Sequence, residues 1–473
     1  MRMPRLASAL LALCAALAPR AAAAAADVKV DIPFTKATLP NGLTVILHED
    51  HTLPMVAVNT LVKVGARFEE PGRTGFAHLF EHLMFMGTSR APTKMFDAWM
   101  EAEGGSNNAW TSEDRTDYYD IGPAHALPLL LWLEADRFSS IGKEMTQQKL
   151  DAQRDVVRNE RRQTSENRPY GKVELRLPEL LYPKGHPYHH PVIGSHEDLQ
   201  AATVDDVKTF FARWYVPNNT SIVVAGDFDA QKTKADIERL FGWIPQVELP
   251  KVEQQAAPKL TSVVRETMQD NVKLPKIIMA WHSPAHFAPG DAELDLAAAI
   301  LQEGKASRLY KALVYDKPLA QEVRAEQRSQ DLSSVFAIEA VAQPGVSLDQ
   351  LEASIDAEVA RLAAAPPSAE ELRRAQNQFE TGFVARLQSV AARAQLLNTY
   401  QMAVGDPGYA DKDLARYRAA TPAQVQAVVK ATLEPNARVI LRVVPKDAPV
   451  TDGGSPGKPA AAAKPAAAKK GAK

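Results

Sequence analysis

One six-residue pattern occurs twice at a fixed distance, and no other feature restricts the architecture of the chain as tightly. Ala-Thr-x-x-x-Val begins at Ala202-Thr203 and again 218 positions later at Ala420-Thr421, and in both copies Pro-Asn follows fourteen residues after the threonine. Each threonine can cap a helix whose apolar positions are Val207, Phe210 and Phe211 in one copy and Val425, Val428 and Val429 in the other. After Pro217-Asn218 and Pro435-Asn436 come β-branched runs, Ser221 to Ala225 and Arg438 to Val444. The opening of each half matches as well. Leu53-Pro54 precedes MVAVNTLVKVG and Leu274-Pro275 precedes KIIMAWHSP, each strand-like and followed by a helix ending near Gly87 or Gly304. A repeat of this length predicts two homologous α+β domains, 27–245 and 260–450. The connection 246–259 has no sustained apolar period.

The termini read differently. Residues 1–26 carry Arg2 and Arg5, an apolar run from Leu6 to Ala18 and then small residues, the layout of a secretory signal peptide. That run of about 13 residues falls short of the ~20 that span a bilayer, and no later segment is apolar enough. The expectation is a bacterial exported protein, periplasmic or secreted, with no membrane span. The single cysteine, Cys14, lies in this peptide, so the mature chain would have neither thiol nor disulfide. Residues 451–473, mostly Gly, Pro, Ala and Lys, are predicted to be a disordered tail. A formal charge of −2 provides no field that would draw the chain to nucleic acid.

Chemistry concentrates at His78-Leu-Phe-Glu81-His82 within TGFAHLFEHLMFMGT. At about 100° per residue, positions i and i+4 differ by roughly 40°, so both imidazoles leave one face of a helix. That suits two ligands of a tetrahedral zinc, with Glu81 on the same side, able to act as general base without being a ligand. Placing three ionisable groups on one face of an apolar helix costs desolvation that a cation offsets. Catalytic zinc takes a third protein ligand and keeps one position open. The downstream helix MTQQKLDAQRDVVRNERRQTSE offers Glu160, but spacing alone leaves Glu134, Glu144, Asp155 and Glu166 as alternatives. A rival cluster, His186, His189 and His190, is broken by Pro187 and followed by Pro191, in a rigid segment where helical spacing cannot make the rings converge.

Four segments together, HLFEHLMFMGT, GGSNNAWTSEDRTDYY, RDVVRNERRQ and HPYHHPVIG, resemble the pitrilysin/insulinase superfamily, peptidase family M16. The likeness is strongest to two-domain bacterial members similar to mitochondrial processing peptidase and extends over nearly the whole mature chain. The resemblance implies two α/β-sandwich domains of that metallohydrolase type. It implies one Zn2+ per chain held by His78, His82 and Glu160, and it makes the HPYHHP stretch a structural loop. It also implies that peptide substrate adds as a strand near Asn108 and Ala109. One departure is Gln153, where the family has a glutamate seven residues before the third ligand. Gln153 shares a helix face with Glu160 but cannot supply a charge near the metal.

The second half lacks the motif. Setting Gly304 against Gly87 places Asp295, Ala298 and Ala299 opposite His78, Glu81 and His82. In the family, a metal-free half contributes an arginine and, seven residues on, a tyrosine to the oxyanion. Here Val314 and Gln321 stand at those places. The expectation is a zinc endopeptidase for extended or unstructured peptides, with Glu81 activating zinc-bound water. It would work in a heterodimer with a homologous chain that lacks H-x-x-E-H and supplies the Arg/Tyr pair. The rival reading is a metal-binding but weakly active or non-catalytic subunit that captures peptides. A purely structural zinc domain is disfavoured, since such sites close with four ligands and favour cysteine.

Overall fold

A computed structural model describes residues 29–447 apart from 253, 254, 256 and 257. The expected signal peptide 1–26 and tail 451–473 lie outside the described residues. The first half carries strands β1 (Thr35–Thr38), β2 (Thr44–Glu49), β3 (Met55–Val62), β4 (Ser106–Thr111), β5 (Thr116–Pro123) and β6 (Thr220–Gly226). The second carries β7 (Val264–Asp270), β8 (Lys276–Ser283), β9 (Ala320–Arg328), β10 (Ser334–Ala342) and β11 (Val439–Pro445).

Their order in space is β1-β2-β6-β3-β5-β4 in one sheet and β7-β11-β8-β10-β9 in the other. With β7 equated to β2, β11 to β6, β8 to β3, β10 to β5 and β9 to β4, the two orders coincide, and β1 is an addition to the first half. Even the exceptional pairings match. Only β2 with β6 and β7 with β11 run parallel, for example Thr44 beside Ser221 and Val264 beside Val439. The fold is therefore α+β, a duplicated sheet-and-helix unit, as the repeat predicts.

One face of each sheet holds its own core. Leu79, Phe80, Leu83, Leu130, Val207 and Phe211 pack over the first sheet, and Leu296, Ile300, Leu351, Ile355, Val425 and Val429 over the second. The opposite faces are covered by exchange. Helix Lys172–Leu181 of the first half places Val173, Leu177 and Leu181 against Ile278, Ala280, Leu441 and Val443 of the second sheet. Helix Val390–Val404 of the second half, which begins 218 positions later, places Ala391, Ala394 and Leu397 against Ile46, Ala57, Val223 and Ala225 of the first. This explains β6, whose seven residues Thr220–Gly226 are all buried: a strand covered on both faces has no polar side to alternate. Among the described residues no helix is long and apolar enough to cross a membrane.

Candidate metal centre and peptide cleft

Helix Phe76–Leu83 buries Phe76, Leu79, Phe80 and Leu83 in the first core, with Ala77 also buried, and turns His78, Glu81 and His82 the other way. It starts at Gly75 (φ 86°), a left-handed position that favours glycine. A Cβ there would also stand 2.8 Å from the Ile193 carbonyl oxygen. Helix Gln147–Arg161, capped by the Thr146 side chain on the Lys149 N–H, packs beside it and brings up Glu160. The turn after Glu160 widens to a π-helix, Arg162–Glu166, and Thr164 Oγ1 donates to the Glu160 carbonyl at 2.8 Å.

His78 Nε2 and His82 Nε2 stand 3.3 Å apart, with Glu160 Oε2 3.2 Å from His82 Nε2 and Glu160 Oε1 3.8 Å from His78 Nε2. Two donors about 2.05 Å from a tetrahedral centre are separated by roughly 3.3 Å, so this donor set fits zinc. Among the described residues it is the sole group of three or more His, Cys, Asp or Glu side chains close enough to share an ion. Burial and the neighbouring His82 push the His78 imidazole down to about 4 against the opposing pull of Glu160, leaving the neutral ring that a metal takes. Hydrogen bonding from His82 lowers the Glu160 carboxyl. The His78 Nδ1 is buried without a partner.

Glu81 stands outside that donor group. Its Oε2 accepts from Thr111 Oγ1 at 2.6 Å, and burial pushes its carboxyl up while this hydrogen bond pulls it down. The remaining sequence candidates are engaged elsewhere. Glu134 pairs with Arg137, Glu144 accepts from Ser89, and Glu166 bonds Arg161 and His196. Asp155 is exposed on the helix that carries Glu160. Of the two valines before Glu160, Val157 is buried and Val156 is 46 % exposed, so Val157 carries the apolar contact of this stretch. Gln153 lies on this helix too, but its amide donates to Met86 Sδ at 2.8 Å. A hydrogen bond to Glu160 or to either histidine is not among those it makes in the described structure.

Residues 186–198 have a different part from the rival metal site. His186 Nδ1 accepts the Tyr188 N–H, and His189 Nδ1 faces the Tyr182 carbonyl at 2.8 Å. Further along, the Ile193–Gly194 backbone lies against Gly75, Ser195 N donates to Thr74 Oγ1, and Arg161 donates to the Gly194 carbonyl. The loop thus braces the start of the helix that carries His78 and His82 and the end of the helix that carries Glu160.

The donors open into a cleft of about 520 Å³. Ala109, Trp110 and Thr111 of β4 form one wall, Leu177, Pro178, Leu181 and Ile193 another, and Arg328, Gln330 and Val335 reach in from the second half. Strand β4 is an edge, paired only with β5. Asn108 is exposed on it, Ala109 is half-buried, and the Ala109 N–H donates to Asn108 Oδ1 at 2.8 Å.

A zinc protease from Helicobacter pylori, PqqE, is 31% identical to this chain over 372 residues, covering 77% of the chain and 82% of that relative. The family description "Insulinase (Peptidase family M16)" matches residues 44–189, and "Peptidase M16 inactive domain" matches 201–379. The chain belongs to peptidase family M16. The solved structure of a protease from Helicobacter pylori superposes with a TM-score of 0.82 at 26% identity, covering 88% of this chain and all of that one. The first half of the periplasmic protease PqqL from Escherichia coli shares the fold, with a TM-score of 0.70 at 19% identity over 88% of this chain and 93% of that one.

Like that family description, the second half of this M16 chain has no metal group among its described residues. Asp295, in the place of His78, is half-buried and accepts from the Tyr417 hydroxyl at 2.7 Å, and desolvation pushes its carboxyl up to about 7. Ala298 and Ala299 pack into the second core. Val314 is half-buried against that core, and Gln321 is exposed on the edge strand β9. Sequence reasoning missed Thr111 as the partner of Glu81 and the second-half residues that line the cleft. An S/T-bearing strand near a helix in space carries no signal in local spacing.

Proposed function

We propose that this chain is a zinc-dependent endopeptidase acting on extended or unstructured peptides. His78, His82 and Glu160 hold one Zn2+ and Glu81 is the general base. The observation that carries the reading is the meeting of a three-donor group with a separate carboxylate, Glu81, on one wall of a cleft bordered by the open edge of β4. Bound there, zinc would polarise the scissile carbonyl and acidify the attacking water. Glu81 takes a proton from that water and passes it to the leaving amine, while Thr111 holds the carboxylate in line. The free edge of β4 near Asn108 and Ala109 receives the peptide as an added strand through main-chain hydrogen bonds. Gln153 keeps its helix packed on Met86 and contributes no charge.

Val314 and Gln321 provide neither a cation nor a phenol, which supports a heterodimer. A homologous M16 chain without H-x-x-E-H would donate an arginine and a tyrosine to the oxyanion. Alone, this chain would then hold zinc and capture peptides but cleave weakly. Residues 1–26, as a signal peptide, would direct it to the periplasm or outside the cell.

The test is metal content and hydrolysis of a flexible peptide, with and without chelator, for the chain alone and with the product of an adjacent homologous gene. About one zinc per chain, chelator-sensitive cleavage and a marked gain with the partner are expected. Unchanged zinc content in His78→Ala, His82→Ala and Glu160→Gln would remove the metal assignment. Full activity without any homologous partner would remove the heterodimer.

A further inference from the structure

Helix Phe76–Leu83 is short, and its N-cap Gly75 offers no side chain to its first N–H groups. An eight-residue helix is marginal on its own, so the direction of His78, Glu81 and His82 depends on how its first turn is anchored. The anchor comes from outside the helix. Glu69 Oε2 accepts the Gly75 N–H at 2.9 Å and Glu69 Oε1 accepts the Ala77 N–H at 2.7 Å, with the side chain wholly buried. His190 Nδ1, in the bracing loop, lies 3.6 Å from Oε2.

Both oxygens of Glu69 receive N–H donors, and the positive end of the helix faces them. Burial pushes this carboxyl well up from its ordinary value, and the N–H groups of Ala77, Gly75 and Phe76 oppose that. Asp198 performs a parallel task one residue upstream, its Oδ2 accepting the Thr74 N–H at 3.0 Å and the Thr74 hydroxyl at 2.5 Å. Asp198 therefore holds the chain before the helix, whereas Glu69 holds the first turn itself, one residue from His78.

We infer that Glu69 is a positioning residue for the metal-bearing helix: its two carboxylate oxygens clamp the Gly75 and Ala77 N–H groups and so set the direction in which His78 and Glu81 project. The inference rests on the metallopeptidase reading for its catalytic consequence, but the clamp itself belongs to the protein without metal. Glu69→Gln keeps the volume and replaces one acceptor by an NH2 that opposes an N–H. Glu69→Asp keeps the charge but is one methylene too short to reach both.

The experiment compares the parent, Glu69→Gln and Glu69→Asp in the full chain. It measures amide hydrogen exchange over residues 75–79 in the zinc-free protein, zinc affinity by chelator competition, kcat and KM at saturating zinc, and melting temperature. Expected for Glu69→Gln are faster exchange at 75–79 by roughly tenfold or more, weaker zinc retention, and a kcat lowered about ten- to a hundredfold with KM within about twofold. Glu69→Asp should fall between it and the parent, and it carries the test if Glu69→Gln does not fold. A variant that melts earlier yet keeps parental exchange at 75–79 and parental kcat at saturating zinc would overturn the inference. A parent that neither holds zinc nor cleaves would overturn the enzymatic reading instead, and the exchange result would still decide the clamp.

Discussion

The Thr111 hydroxyl donates to the Glu81 carboxylate at 2.6 Å and ties strand to helix: Glu81, the proposed base, sits on helix Phe76–Leu83, and its hydrogen-bond partner on the edge strand that borders the cleft. Replacing Thr111 by Val keeps the shape and removes the donor. The expected outcome is parental zinc content and a kcat for peptide hydrolysis lowered by about tenfold, the order of one hydrogen bond to a charged group. Parental kcat in Thr111→Val would show that Glu81 needs no such support.

Glu81→Gln should separate metal binding from chemistry. Glu81 is outside the three-donor group, so zinc should remain at the parental level. Hydrolysis should fall by roughly 10² or more, the scale of a lost general base. Metal analysis and peptide turnover on one preparation check both arms.

The exchanged helices should make the halves interdependent. Leu397 is fully buried against the first sheet although it belongs to the second half. Leu397→Ala should cost about 2–5 kcal/mol in denaturant-induced unfolding. Residues 27–245 expressed alone would expose the face that carries Ala57, Val223 and Ala225 and should associate or fail to fold. A monomeric, cooperatively folded fragment would contradict this.

Acid should weaken the second half through Glu371. Hydrogen bonds from Arg308 (2.7 and 3.0 Å) and from Ser368 hold its carboxyl down at about 2 from an ordinary value of 4.5. A carboxyl whose folded pKa is depressed binds fewer protons in the folded than in the unfolded state. Its stabilisation is complete above about 4.5 and is lost as pH falls from there towards 2. Arg308→Ala should therefore be less stable than the parent at pH 6, with the difference narrowing at pH 3, measured by urea unfolding at both. An equal difference at the two pH values would show that Arg308 acts through packing alone.

Much of the architecture was legible because duplication is written in spacing. The 218-residue offset at Ala202 and Ala420 reappears as two sheets with one strand order. His78, Glu81 and His82 were legible for a local reason: helix periodicity alone puts i, i+3 and i+4 on one side. Paired glycines were meaningful too, since Gly87 (φ 73°) and Gly304 (φ 79°) both take the left-handed conformation after their helices.

What residue spacing left open was settled by packing between segments far apart in the chain. Glu134, Glu144, Glu160 and Glu166 are chemically equivalent in sequence. Only the docking of helix Gln147–Arg161 beside helix Phe76–Leu83 brings Glu160 to the histidines, while Arg137, Ser89, Arg161 and His196 occupy the others. The apolar faces of helices Lys172–Leu181 and Val390–Val404 show that each must be covered, not by which half. Whether β4 is an edge depends on the order of all six strands, and the use of Gln153 on Met86 depends on a neighbour 67 positions away. Periodicity records which side of an element is buried or reactive, because that follows from the geometry of one backbone. It holds no record of the partner across the gap, because that contact exists only once two elements are docked.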